Sequence, residues 1–143
     1  MKKRFVVLAA ALAVSALSMV AGAEESKGVI GVAMPTQDLQ RWNQDGENMK
    51  AQLEEKGYTV DLQFAGNDVA TQVSQIENMI ANGDELLVIA SIEGDSLGTV
   101  LAQAKEAGIP VIAYDRLIMN TDAVSYYATF DNYLVGKHRA STS

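Results

Sequence analysis

The sequence predicts an α/β domain: a doubly wound parallel sheet with helices on both faces. Short, nearly continuous apolar runs such as "GVIGVAM" (28–34) and "LLVIA" (86–90) read as strands buried on both sides. Helical stretches with one apolar stripe separate these runs, and glycines stand where helices should stop, at Gly57, Gly83 and Gly108. Strand and helix alternate with little chain between them, as parallel neighbours joined by right-handed crossovers require.

The first strand is expected over Gly28–Met34, ending at Pro35. Thr36 to Asn43 is polar and turn-like. A helix should follow to about Lys56, with Trp42, Met49 and Leu53 near one face and Gly57 at its C-cap. Tyr58–Phe64 ("YTVDLQF") alternates, which marks a half-buried strand near a sheet edge. Asn67 or Asp68 can cap a second helix carrying Val69, Val73, Ile76 and Ile80 at helical spacing, and Gly83 ends it. Leu86–Ala90 is a central strand. A third helix should open over Gly94–Ser96, with Asp95 as its N-cap and Leu97, Val100, Leu101 and Ala104 as the inner stripe. Gly108 closes that helix, Ile109–Tyr114 is the next strand, and Val124–Phe130 a further one.

Ahead of this domain, Lys2, Lys3 and Arg4 precede an apolar stretch from Phe5 to Val20, and Ala21-Gly22-Ala23 has the small residues of a cleavage site. Residues 1–23 therefore read as an export signal cleaved after Ala23, which places the protein in the periplasm. No Cys stands near that site to carry a lipid anchor. The remainder holds 8 Lys+Arg against 18 Asp+Glu, an acidic balance without the basic footprint that nucleic acid or an anionic membrane needs. With zero Cys in the chain, stability must come from packing, and no thiolate metal site is possible.

In a sheet of this kind, ligands bind beyond the carboxyl ends of the strands. The loop after the first strand offers Gln37, Asp38, Arg41, Trp42 and Asn43; the second strand is followed by "AGND", the third by "SIEGD" and the fourth by Asp115-Arg116. Planar hydrogen-bonding groups beside an aromatic face suit a ring of hydroxyls. Each residue also has a plainer reading. Trp42 can be the buried end of a helix face, Arg41 a solvated charge, and Asp115-Arg116 a solvated turn.

Enzymatic patterns are absent. No G-x-G-x-x-G or G-x-x-x-x-G-K-[ST] follows the first strand, no G-x-S-x-G occurs, and His138 is the one histidine. Glu93 and Asp95 are close together, but helix capping explains them without acid–base chemistry. No His-plus-carboxylate cluster suggests a metal, and no cofactor is expected.

Four segments carry a resemblance: "RWNQDGENM" (41–49), "QVSQIENMIANGDELLVIASIEG" (72–94), "GIPVIAYDRLI" (108–118) and "SYYATFDNYLVG" (125–136). In this order and spacing, they resemble the N-terminal half of periplasmic sugar-binding proteins of ABC importers, in the xylose-binding and multiple-sugar-binding branch. The resemblance spans Gly28 to Gly136. It implies a type I periplasmic-binding-protein lobe, one of two that enclose a monosaccharide, an aldopentose or aldohexose, on closing about a hinge. It further implies that Asp115 and Arg116 bond to sugar hydroxyls, with Arg41 and Trp42 as further contacts, and Ser91 and Glu93 nearby. Phe130, Asp131 and Asn132 become the first crossover, or hinge. Importer membrane subunits and a chemoreceptor are the implied partners, of a monomer.

Such proteins continue past "VG" with an apolar helix and a second lobe, and chain returning from that lobe completes the first. Here the sequence reads "VGKHRASTS". The expected organisation is therefore a signal over 1–23, an incomplete N-terminal lobe over 24–131, and the start of a crossover with an aberrant tail over 132–143. Binding by such a truncated lobe is expected to be weak or absent. The alternative, an effector-binding lobe like those of sugar-responsive transcription regulators, calls for a helix-turn-helix where this chain has an export signal.

Overall fold

The computed structural model describes residues 25–128. The expected leader and its cleavage site, the hinge residues Phe130, Asp131 and Asn132, and the tail with His138 lie outside the described residues. Within them the chain runs β1 (Val29–Met34), α1 (Gln40–Glu55), β2 (Thr59–Phe64), α2 (Val69–Asn82), β3 (Leu86–Ile89), α3 (Gly98–Glu106), β4 (Val111–Tyr114) and β5 (Val124–Ala128). The five strands form one sheet in the order β2-β1-β3-β4-β5, every neighbouring pair parallel. The doubly wound parallel architecture read from the sequence is the observed one.

Side-chain alternation along the strands builds two apolar layers. Ile30, Val32 and Met34 of β1 pack with Val60, Val88 and Trp42 on the α1 side. Ala33, Leu87, Ile89, Val111 and Ala113 face the other way, against Ile76 and Met79 of α2 and Val100, Leu101 and Ala104 of α3. Met79, Leu87 and Leu101 are completely buried, and each contributes about 1.5–3 kcal/mol relative to exposure. On the α1 side that helix packs over β1 and β2. Tyr126 of β5 projects beyond that cover, 70% exposed.

Helix ends explain where sequence boundaries succeed or slip. Asp68 caps α2 by accepting from the Thr71 amide at 2.6 Å, and Gly83 ends it in the left-handed conformation at φ 81°, both as the residue types foretell. The start of α1 comes earlier than expected: Arg41, Trp42 and Asn43 lie inside the helix, whose N-cap is Leu39 with no side-chain cap bond. The expected opening of α3 over Gly94–Ser96 is also corrected. That helix begins at Gly98 behind Leu97, again without a side-chain cap, so Asp95 is not its N-cap. Apolar caps leave no polar signature in a sequence, so both starts were displaced by several residues.

β2 is an edge strand, as its alternation foretold. β4 and β5 join without a helix, and their register shifts by one residue between Val111 and Ile112, a β-bulge at the other edge.

Candidate functional site

Parallel pairing sets the ends of β1, β3, β4 and β5 along one edge, and the residues expected to bind a ligand gather there. At the end of β4, Asp115 has φ 61°, and the Arg116 amide donates back across it to the Tyr114 carbonyl at 2.7 Å. A two-residue-apart bond over a positive-φ residue is a γ-turn of the strained kind, and a non-glycine residue held there costs about 1–3 kcal/mol. β5 holds the turn in place. Asp115 N–H donates to the Ala128 carbonyl at 2.7 Å, and the Tyr127 hydroxyl donates to the Asp115 carbonyl at 3.1 Å.

This turn sends two adjacent charges in different directions. Asp115 Oδ1 accepts from Arg41 Nη2 at 2.5 Å, which joins the β4 end to the first turn of α1. Arg116 Nη1 instead donates to the carbonyls of Ser91, at 3.0 Å, and Ile92, at 3.2 Å, beyond the end of β3. Both guanidiniums lie against one indole: their carbons are 4.8 Å (Arg41) and 5.2 Å (Arg116) from the Trp42 ring centroid, within cation–π range. Trp42 is only 3% exposed. It is a core residue of the α1 layer whose ring supports the two cations.

Asp45, one helical turn after Arg41, lies 3.7 Å from Arg41 Nε and accepts from the Tyr114 hydroxyl at 3.0 Å. The Asp115 hydrogen bond, followed by the nearby carboxylate charges, raises the Arg41 pKa from its already high ordinary value. Burial, then the Asp45 hydrogen bond, pushes the Tyr114 phenol up to about 12, so it stays a proton donor across the physiological range.

Ser91 is fully buried, and its Oγ has no hydrogen-bond partner among the described residues. Its loop is fastened from below by Gln72, which donates to the Ala90 carbonyl at 2.9 Å and accepts from the Ile92 amide at 3.0 Å. Gly94 lets the loops after β3 and β4 meet, since a Cβ there would lie 2.6 Å from the Leu117 carbonyl oxygen. Glu93 turns into its own loop, accepting from the Ser96 hydroxyl at 2.7 Å. Arg41, Trp42, Asp115, Arg116 and the Ser91 backbone are thus brought together, whereas the Glu93 carboxylate makes no hydrogen bond or ion pair with them among the described residues.

Sequence reading did not single out Asp45, Tyr114, Gln72 or Tyr127 for the site. Only Asp45 had a legible signal, the i,i+4 spacing of opposite charges with Arg41. Among the described residues, no three His, Cys, Asp or Glu side chains gather as a metal centre would need. The cluster suits a neutral polyhydroxyl ligand, with carboxylate and carbonyl acceptors next to guanidinium donors.

Known proteins share both sequence and fold. A multiple sugar-binding periplasmic receptor of Rhizobium radiobacter is 49% identical over 141 residues, 98% of this chain and 40% of that protein. A D-xylose-binding periplasmic protein of Escherichia coli is 38% identical over 140 residues, 98% of this chain and 42% of its own. A crystal structure of an ABC transporter solute binding protein from Clostridium phytofermentans, with β-D-glucose bound, is 76% identical. It superposes with a TM-score of 0.72 over 80% of this chain and 35% of that one. The chain thus spans about 40% of the length of these curated relatives. A family model described as a periplasmic binding protein domain matches residues 30–141, and the chain belongs to that family.

Proposed function

We propose that the chain forms a sugar-binding lobe of a periplasmic component of an ABC sugar importer, taking an aldopentose or aldohexose at the carboxyl edge of its sheet. The observation behind this reading is the strained turn at Asp115. Backbone strain persists where surrounding structure enforces it, and such residues cluster at ligand-binding sites. Here two bonds from β5 and one from Arg41 hold Asp115 in place.

In this reading the Asp115 carboxylate accepts from sugar hydroxyls. Arg41 and Arg116 donate to them through nitrogens not engaged by protein, and Trp42 keeps both guanidiniums in place. Ser91 acts through its carbonyl, which holds Arg116, and Glu93 contacts ligand only after leaving Ser96. The names of the relatives support the ligand class, and their compartment supports export to the periplasm. Cleavage after Ala23, a hinge at Phe130, Asp131 and Asn132, partnership with importer membrane subunits or a chemoreceptor, and a monomeric state belong to the same proposal.

The described residues form one face of the site, and an open face leaves a bound sugar half solvated. Affinity of this face alone for sugar is expected in the range of about 1 mM or weaker. Fluorescence of Trp42, the sole tryptophan, gives the test. Titration with D-glucose and D-xylose should give a weak saturable change that disappears in Asp115→Ala. An equal response in wild type and variant would remove Asp115 from the site, and micromolar saturation would show a site more enclosed than this face.

A further inference from the structure

We infer that Asp45 is a positioning residue of this site: tied to the Tyr114 hydroxyl, it holds the Arg41 guanidinium from behind and aims it at Asp115. The inference rests on the reading of Asp115 as a ligand acceptor, but it stands on separate contacts.

Arg41 is a long, rotamer-rich side chain, 51% exposed, and nothing in helix geometry alone would keep it over the end of β4. Two carboxylates do so from two sides. Asp115 takes Nη2 at 2.5 Å, and Asp45 faces Nε at 3.7 Å. The second distance is an ion pair and too long for a hydrogen bond, so Asp45 directs the guanidinium without occupying its donors. Asp45 is itself fixed, because its Oδ2 accepts from Tyr114 at 3.0 Å.

Tyr114 immediately precedes Asp115. The contacts therefore close a ring, from Arg41 to Asp115, along the backbone to Tyr114, through its hydroxyl to Asp45, and back along one turn of α1. A closed ring of polar contacts couples its members more strongly than separate pairs do. Removing Asp45 or the Tyr114 hydroxyl should release Arg41 from Asp115 although neither change touches that contact. A merely structural tie between α1 and β4 makes a different prediction: it would lower stability and leave the Arg41–Asp115 coupling intact.

The test measures that coupling. Unfolding constants from urea titration are determined for Arg41→Ala, Asp115→Asn and the double variant, in wild-type, Asp45→Asn and Tyr114→Phe backgrounds. Coupling of about fivefold is expected in wild type, falling below about twofold in both other backgrounds. In ¹⁵N spectra of side-chain Arg groups, the Arg41 Nη2 protons, which bond Asp115, should be protected from exchange in wild type and lose protection in both variants, while backbone signals persist. If Asp45→Asn does not fold, Tyr114→Phe decides alone, since it keeps the ring and removes one oxygen. Unchanged coupling and unchanged Arg41 protection would overturn the inference, as would the absence of coupling in wild type. D-glucose added to the same samples separates the two ideas: a wild type that keeps the coupling and ignores glucose sinks the sugar reading and leaves the positioning role standing.

Discussion

The two edges of the sheet treat a carboxylate in opposite ways. At the carboxyl edge, Asp115 and Asp45 share the Arg41 guanidinium and stay partly open to solvent. Toward the amino edge, Asp84 is 2% exposed, and its Oδ2 has no hydrogen-bond partner among the described residues. Its oxygen lies over Gly31, 2.7 Å from where a Cβ would stand, and Gly31 is in register with Asp61. Paired positions on neighbouring strands share a face, so the second carboxyl near Asp84 is another acid. Burial, then the Asp61 charge, pushes the Asp84 pKa up to about 6. Charges at the carboxyl edge are paired and reachable, whereas burial beside a second acid favours the protonated form of Asp84.

The largest expected effect tests that contrast. A folded pKa of about 6 against an ordinary 3.8 means that the native state holds the Asp84 proton more tightly than the unfolded chain does. The resulting stabilisation is complete below the unfolded value and is lost as pH rises through about 6. The shift corresponds to about 3 kcal/mol. Urea titrations between pH 4 and 8 should show this decline in wild type and its disappearance in Asp84→Asn, which keeps the shape and removes the charge. A flat wild-type profile would mean that Asp84 is solvated or partnered in solution.

Next in size is the floor of the carboxyl edge. Gln72→Leu leaves the Ile92 amide and the Ala90 carbonyl without their partners, which should cost about 1–3 kcal/mol in urea titration. It should also loosen the Ser91 loop, seen as faster amide exchange at Ile92. The strain at Asp115 sets a smaller effect. Asp115→Gly relieves the positive φ, Asp115→Asn does not, and both lose the carboxylate. Thermal melts should place the glycine variant about 1 kcal/mol above the asparagine variant, with Arg41 released in each. Equal stability would show that the turn is unstrained. At the bottom of the scale, the Lys105–Asp122 pair at 2.5 Å lies on exposed side chains. Asp122→Asn should leave the melting curve unchanged, because a short contact in water carries little net stabilisation.

Much of the fold was legible in the residues. Apolar runs located every strand, and Gly57, Gly83 and Gly108 marked three helix ends, because glycine relieves a conformation that other residues resist. The starts of α1 and α3 were misplaced because Leu39 and Leu97 occupy their caps. Arg41, Asp115 and Arg116 were picked out by position, Asp115 and Arg116 directly past β4 and Arg41 in the segment that follows β1. Their wiring was not, since Tyr114 and Asp45 stand 69 residues apart and no local pattern links them. Trp42 shows the same limit. Periodicity allowed both an open platform and a buried helix face, and only the packing with Ile30, Val32 and Met34 decides for the core.

The central claim is that the carboxyl edge around Asp115 is where sugar binds. Backbone and Arg side-chain ¹⁵N shifts followed during D-glucose addition test it most directly. Saturable shifts are expected, confined to Arg41, Ser91, Asp115, Arg116 and their immediate neighbours, and lost in Asp115→Asn with the remaining spectrum intact. Shifts centred elsewhere on the sheet, or the same shifts in Asp115→Asn, would contradict it.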